Sequence, residues 1–207
     1  MEVSLGGAAR VALGGLDPAA VASPEIARAV GEMQAAGIVP VGGARVGLSD
    51  EVDLGLVVAG PLLRADLRWR VDLGCGDVCV SAWTGLGAVG GMIATEAGSS
   101  GGRLGAELPV LLGVDAQSLV QLWIGARLAV EHAWGRVAGL AGTGALPGQM
   151  GGLRAAGVLG VGLGFRDLHV LFELTAGYER WEGAVGASAF VFEGPALTPA
   201  FALRYRL

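Results

Sequence analysis

The chain has 207 residues, a net charge of −5, 53% hydrophobic residues and 38 glycines. That length suits a single domain, residues 1–207, and no apolar run reaches the roughly 18 residues of a membrane helix. The cationic residues are all Arg and form no basic patch, which argues against nucleic-acid binding.

In chain order, residues 3–14 alternate apolar and small or polar positions, the period-two signature of a strand. The connection 15–37 carries a helix signal. Ser23 is an N-cap, Pro24 suits the first helical position and Glu25 the positive end; Ile26, Val30 and Met33 share one face, and Gly37 stops the helix. Strands follow at 38–48 and 52–60 around a tight "SDE" turn, then at 62–73 after Gly60-Pro61. A tight "GCGD" turn leads into 78–90. After a long connection, 91–102, strands at 103–114 and 118–131 flank "DAQ"; after 132–152, strands at 153–165 and 168–180 flank "RD"; and after 181–194 the last strand is 195–207. Pro109 and Pro199 each remove a ladder donor and call for a local bulge.

One parity of every strand is free of charge. In "LLRADLRWRVDL", residues 62–73, the odd positions from Leu63 are apolar, whereas Arg64, Asp66, Arg68, Arg70 and Asp72 occupy the even ones. The same charged parity holds Glu2, Arg10, Arg45, Asp53, Arg103, Glu107, Arg127, Glu131, Arg154, Glu173, Glu179, Arg204 and Arg206. Ten Arg thus stand against eight carboxylates, close enough to balance for a cross-strand ion-pair network filling an interior. Short turns alternate with long connections, the layout of an up-and-down antiparallel barrel that crosses a membrane ten times with both termini on the short-turn side. In that orientation the helix of residues 23–36 lies in the first outer loop, as local packing or as a lid.

The last strand, "LTPAFALRYRL", alternates Phe201, Leu203, Tyr205 and Leu207. It is similar to the C-terminal assembly signal of small bacterial outer-membrane β-barrel proteins, the porin-like class of eight to ten strands, which usually ends in Phe rather than Leu. The resemblance implies a bacterial outer-membrane location, a lipid bilayer around the apolar face, and recognition of the last strand by the barrel-assembly machinery. Trp69, Phe165 and Tyr205 then fall at the periplasmic edge of an aromatic girdle, and Tyr178, with Trp134, at the outer edge. No cleavable signal peptide is visible at the start, so the chain reads as either cytosolic or mature with Met1 added, and the second fits the alternation better.

Chemical motifs are sparse. Cys75 and Cys79 flank a tight turn and read as a disulfide if that turn is periplasmic, two thiols being too few for a metal site. Asp167-Leu168-His169 offers an Asp-x-His at the wrong end for an outer-membrane protease. His132 beside Glu131 lacks the Ser or second acid of a triad. No cofactor, metal or catalytic residue is assigned. Three readings stay open: a closed structural or partner-binding barrel, a narrow pore for small solutes, and a lipid-modifying enzyme.

Overall fold

Segments that alternate with period two pair edge to edge, and a sheet whose two edges meet leaves no row of unpaired backbone groups. The computed structural model describes residues 1–13, 16, 37–94, 99–117, 119–137, 145–165 and 167–207. It contains ten strands: β1 (Glu2–Ala12), β2 (Gly37–Gly47), β3 (Val52–Ala59), β4 (Leu62–Cys75), β5 (Val78–Ala94), β6 (Ser100–Ala116), β7 (Val120–Val137), β8 (Leu146–Phe165), β9 (Leu168–Val185) and β10 (Ser188–Arg206). Each pairs antiparallel with its chain neighbours, and β1 closes on β10 to form a ring. Ile26, Val30 and Met33, on which the loop helix was expected, lie outside the described residues.

From β5 to β10 the strands exceed their expected bounds at the end away from the termini, whereas β1 and β3 stop slightly short of theirs. Most of the expected connection 181–194 is strand, and a two-residue turn at Gly186 and Ala187 joins β9 to β10. Gly186 has φ +58°, a left-handed conformation that suits a residue without Cβ. The alternation continues through this region with its polarity reversed. Arg180, Glu182 and Glu193 face outward, whereas Trp181, Phe190 and Phe192 are buried inside. Strong asymmetry between short turns and long loops is therefore absent for two of the connections, Gly60-Pro61 and Gly186-Ala187.

Neither proline requires a bulge. The β5–β6 register is the same before and after Pro109, with pairing interrupted only between Thr84↔Val110 and Gly87↔Glu107. The β1–β10 register likewise continues across Pro199 between Ala8↔Ala200 and Val11↔Leu197. Next to the β5–β6 interruption Thr84 Oγ1 donates to the Pro109 carbonyl at 3.2 Å. A register shift does occur between Asp72 and Gly74, where β4 and β5 extend past β3. Cys75 and Cys79 close that hairpin with a disulfide.

Outward positions below the reversed zone are apolar on strand after strand: Val120, Leu122, Ile124, Leu128 and Val130 on β7, and Leu168, Val170, Phe172, Leu174 and Tyr178 on β9, all exposed. Inward positions of the same strands carry Gln121, Trp123, Arg127, Glu131, His169, Glu173 and Glu179. The polarity of a soluble sandwich is inverted here. Among the described residues no helix is long and apolar enough to cross a membrane.

In lipid vesicles, Leu174→Arg should cost about 2–4 kcal/mol of folded stability, as read by denaturant titration. Leu171→Arg, entering the interior beside Glu173, should cost clearly less; equal losses would mean that both faces meet the same medium. Thiol titration of the unreduced protein should find no reactive Cys75 or Cys79. Replacing both by Ser should cost about 2 kcal/mol or less, because the closed loop is short.

Candidate functional site: the barrel interior

Period-two geometry sends alternate side chains of ten strands into one narrow space, where water is scarce and unpaired charge is expensive. The interior is organised in layers along the strands. Nearest the termini, Arg206 donates to Glu2 at 3.0 Å, Arg204 lies 3.9 Å from Glu2 and donates to Gln121, and Gln121 donates to Asp115 at 2.7 Å.

Farther in, Asp66 is 3% exposed and stands among three guanidiniums: Arg45 donates to it, while Arg64 and Arg68 approach to 3.8 and 3.9 Å. Arg45 and Arg68 also meet Asp53, and Arg64 meets Glu107. Arg68 lies 5.4 Å from the centre of the Trp83 ring, a cation–π distance. Across the ring, Glu173 accepts from Arg127 at 3.2 Å and from Trp123 Nε1 at 3.0 Å.

The third layer centres on Glu179, 1% exposed. It accepts from Arg10 at 2.6 Å, Arg154 at 2.8 Å and Trp181 Nε1 at 2.9 Å. Arg154 also reaches Glu131 at 3.7 Å, and Arg103 pairs with Glu131 while stacking 5.7 Å from the Trp181 ring. Beyond this layer the interior is apolar: Leu16, Ala133, Val137, Met150, Trp181, Val185, Phe190, Phe192 and Ala196 form one buried cluster.

Arg70 and Asp72 lie apart from these layers. They pair with each other at 3.0 Å on the part of β4 that runs beyond β3, and both are about half exposed, 50% and 47%. Their parity matches the interior, but the adjacent strand β3 has ended at that height, and both line the wider terminal cavity. The aromatic residues Trp69, Phe165, Tyr178 and Tyr205 all face outward. His132 also faces outward, stacked on Trp134, while Glu131 faces inward from the adjacent position; His169 is fully buried in the interior. Among the described residues no group of His, Cys, Asp and Glu could hold a metal ion.

Inward tryptophans and their glycine partners are a feature that parity alone underplays. Trp123 lies directly opposite Gly160, Trp181 opposite Gly152 and His169 opposite Gly164. A Cβ on any of these glycines would fall 2.0–2.4 Å from the ring it faces. The rings therefore lie flat across bare backbone, the cross-strand device by which an aromatic covers a strand glycine.

Two cavities open from the terminal end, one of about 680 Å³ and a deeper one of about 230 Å³. They share Arg68, Trp83, Gln121, Trp123 and Arg204 on their walls, and neither touches the Glu179 layer or the apolar cluster. The interior is thus a cup, open where the termini lie.

No protein-family model matches the sequence, and no curated protein does. Among solved structures the chain is similar to the crystal structure of OccAB4 of Acinetobacter baumannii, at 5% identity and a TM-score of 0.24, over 81% of this chain and 54% of that one. The chain spans about half the length of that structure, and so slight a likeness supports nothing about the site.

Glu179→Gln would leave Arg10 and Arg154 facing a neutral amide in a buried layer, and should cost about 3–5 kcal/mol in denaturant unfolding. Arg70→Ala should change stability by less than about 1 kcal/mol.

Proposed function

We propose that this chain is a bacterial outer-membrane β-barrel with its termini in the periplasm, its lumen closed on the outer side, and a structural or partner-binding role. The membrane reading rests on the exposed apolar belt. On β9 it runs from Leu168 to Tyr178, eleven positions that match the length a tilted strand needs to cross a bilayer, and charge returns outside it at Arg180 and Glu182. Trp69, Phe165, Tyr205 and Tyr178 then serve as interface anchors, and β10 is the strand offered to the assembly machinery.

The observation that carries closure is the stack of two sealed layers in the upper lumen. Around Glu179 and Glu131, Arg10, Arg103 and Arg154 are held in pairs; above them Met150, Trp181, Phe190 and Phe192 fill the ring with apolar side chains. Ten strands enclose little more space than the eight-stranded ring that side chains fill completely. The outward polar surfaces of the β7–β8 and β9–β10 hairpins, carrying Arg136, Gln149, Arg180, Glu182 and Glu193, are then available to a surface partner. No catalytic role is assigned to His132 or His169.

A narrow channel is the second reading, favoured by the cavities that already hollow the terminal half of the lumen. Planar-bilayer recording separates the two. The intact protein should pass little or no steady current, and Trp181→Ala with Phe192→Ala, which empties the apolar layer, should raise it only together with neutralisation of Arg154. Large, stable unitary currents from the unmodified protein would replace the closed reading with the channel.

A further inference from the structure

The cup at the terminal end has more donors than its own acceptors use. A guanidinium carries five N–H groups. Arg127 meets Glu173 through Nη2, and its Nε is buried without a hydrogen-bond partner. Arg204 meets the neutral Gln121 through Nη2, with Glu2 no nearer than 3.9 Å, and its Nε is likewise buried without a partner. Arg68 meets Asp53 through Nε at 3.3 Å.

The acceptors around them are engaged several times over. Asp53 takes Arg45 and Arg68, Glu173 takes Arg127 and Trp123, and Glu2 faces Arg204 and Arg206. Arg68, Arg127 and Arg204 line the deeper cavity together. Trp83 and Trp123 line the same space, and their indole N–H groups are taken by Ser81 at 2.7 Å and Glu173 at 3.0 Å. What the two rings still offer is apolar surface rather than donors.

We infer that this cup binds a small organic monoanion: a carboxylate held by Arg68, Arg127 and Arg204, with its flat, unsaturated body against Trp83 and Trp123. Charge-assisted, forked hydrogen bonds are what guanidinium groups supply to a carboxylate, and a combined space of this size is that of ordinary small-molecule sites. The rim selects against multiply charged anions. Asp50, Glu51 and Asp77 line the outer cavity together with Arg70 and Arg206, which are paired with Asp72 and Glu2, so the rim stays net negative and repels them, whereas a single charge behind an apolar body passes at lower cost. Entry is from the side of the termini. The inference depends on the closed-lumen reading only for the blind end of the cup, and binding is measured in detergent, where conduction plays no part.

Isothermal titration of the full-length protein with benzoate, benzamide and inorganic phosphate tests it, with retention of the compact band on unboiled gels as the check of folding. Benzoate should bind saturably, and benzamide and phosphate should bind at least about tenfold more weakly. Arg127→Gln and Arg204→Gln should each weaken benzoate by about tenfold or more. Ser4→Asp serves if those variants fail to fold: Ser4 lines the deeper cavity, so the substitution brings the chain's own carboxylate to the same guanidiniums and should abolish benzoate binding. No saturable benzoate binding, phosphate binding as tight as benzoate, or unchanged benzoate affinity in folded Arg127→Gln, Arg204→Gln or Ser4→Asp protein would each overturn the assignment.

Discussion

Charge compensation inside a closed ring is the constraint on which the rest of this structure depends. Closure satisfies the backbone by pairing every strand with two neighbours, and it forces half of each strand's side chains into a space with little water. Asp66 and Glu179 are tolerable there only because each is surrounded by guanidiniums, Arg45 of β2 with Arg64 and Arg68 of β4 itself around Asp66, and Arg10 of β1 with Arg154 of β8 around Glu179. The partners come from far apart in the chain: Arg10 on β1 reaches Glu179 on β9, and Arg64 on β4 reaches Glu107 on β6. Once the ring is shut, these pairs oppose slippage of one strand against another, since a one-residue shift would turn charges out of the lumen and apolar groups into it.

Glycine answers the complementary problem of room. Long Arg side chains and indole rings share the lumen only because the inward position across from a ring is often bare, as at Gly160 beneath Trp123 and Gly152 beneath Trp181. The abundance of glycine is thus partly a packing requirement of the interior.

The strands were legible where apolar residues kept one parity and charges the other. Residues 62–73 and 168–180 are the plainest cases, and their faces point as their alternation requires. What escaped sequence reading is the upper third. At Arg180 a charge enters the apolar parity, which looks like the end of a strand, whereas the strand continues with the polarity of its two faces reversed. The sequence around Trp181, Phe190 and Phe192 therefore has the look of a connection, although they make the lumen's apolar layer. Arg70 and Asp72 failed in the opposite sense: their alternation is faultless, but the neighbouring strand has ended, a fact of register that one strand cannot reveal. The pairing of particular Arg with particular carboxylates, and the cup between them, likewise depend on how ten registers add around the ring.

The wall of this ring is uneven. β3 has 8 residues and turns at Gly60-Pro61, whereas β8 has 20. With a rise of roughly 3.3 Å per residue and a tilt of about 40°, the stretch at β3 is only about 20 Å high. The hydrocarbon slab of a membrane is about 25–30 Å. A flat slab cannot fit both sides of such a ring. In a bilayer the mismatch costs a fraction of a kcal/mol per Å, and is relieved by leaning the barrel or by pinching the lipid beside β3. Either relief would act at one fixed place on the circumference, and a bilayer around the ring would thereby give an otherwise round object a front and a back within the membrane plane.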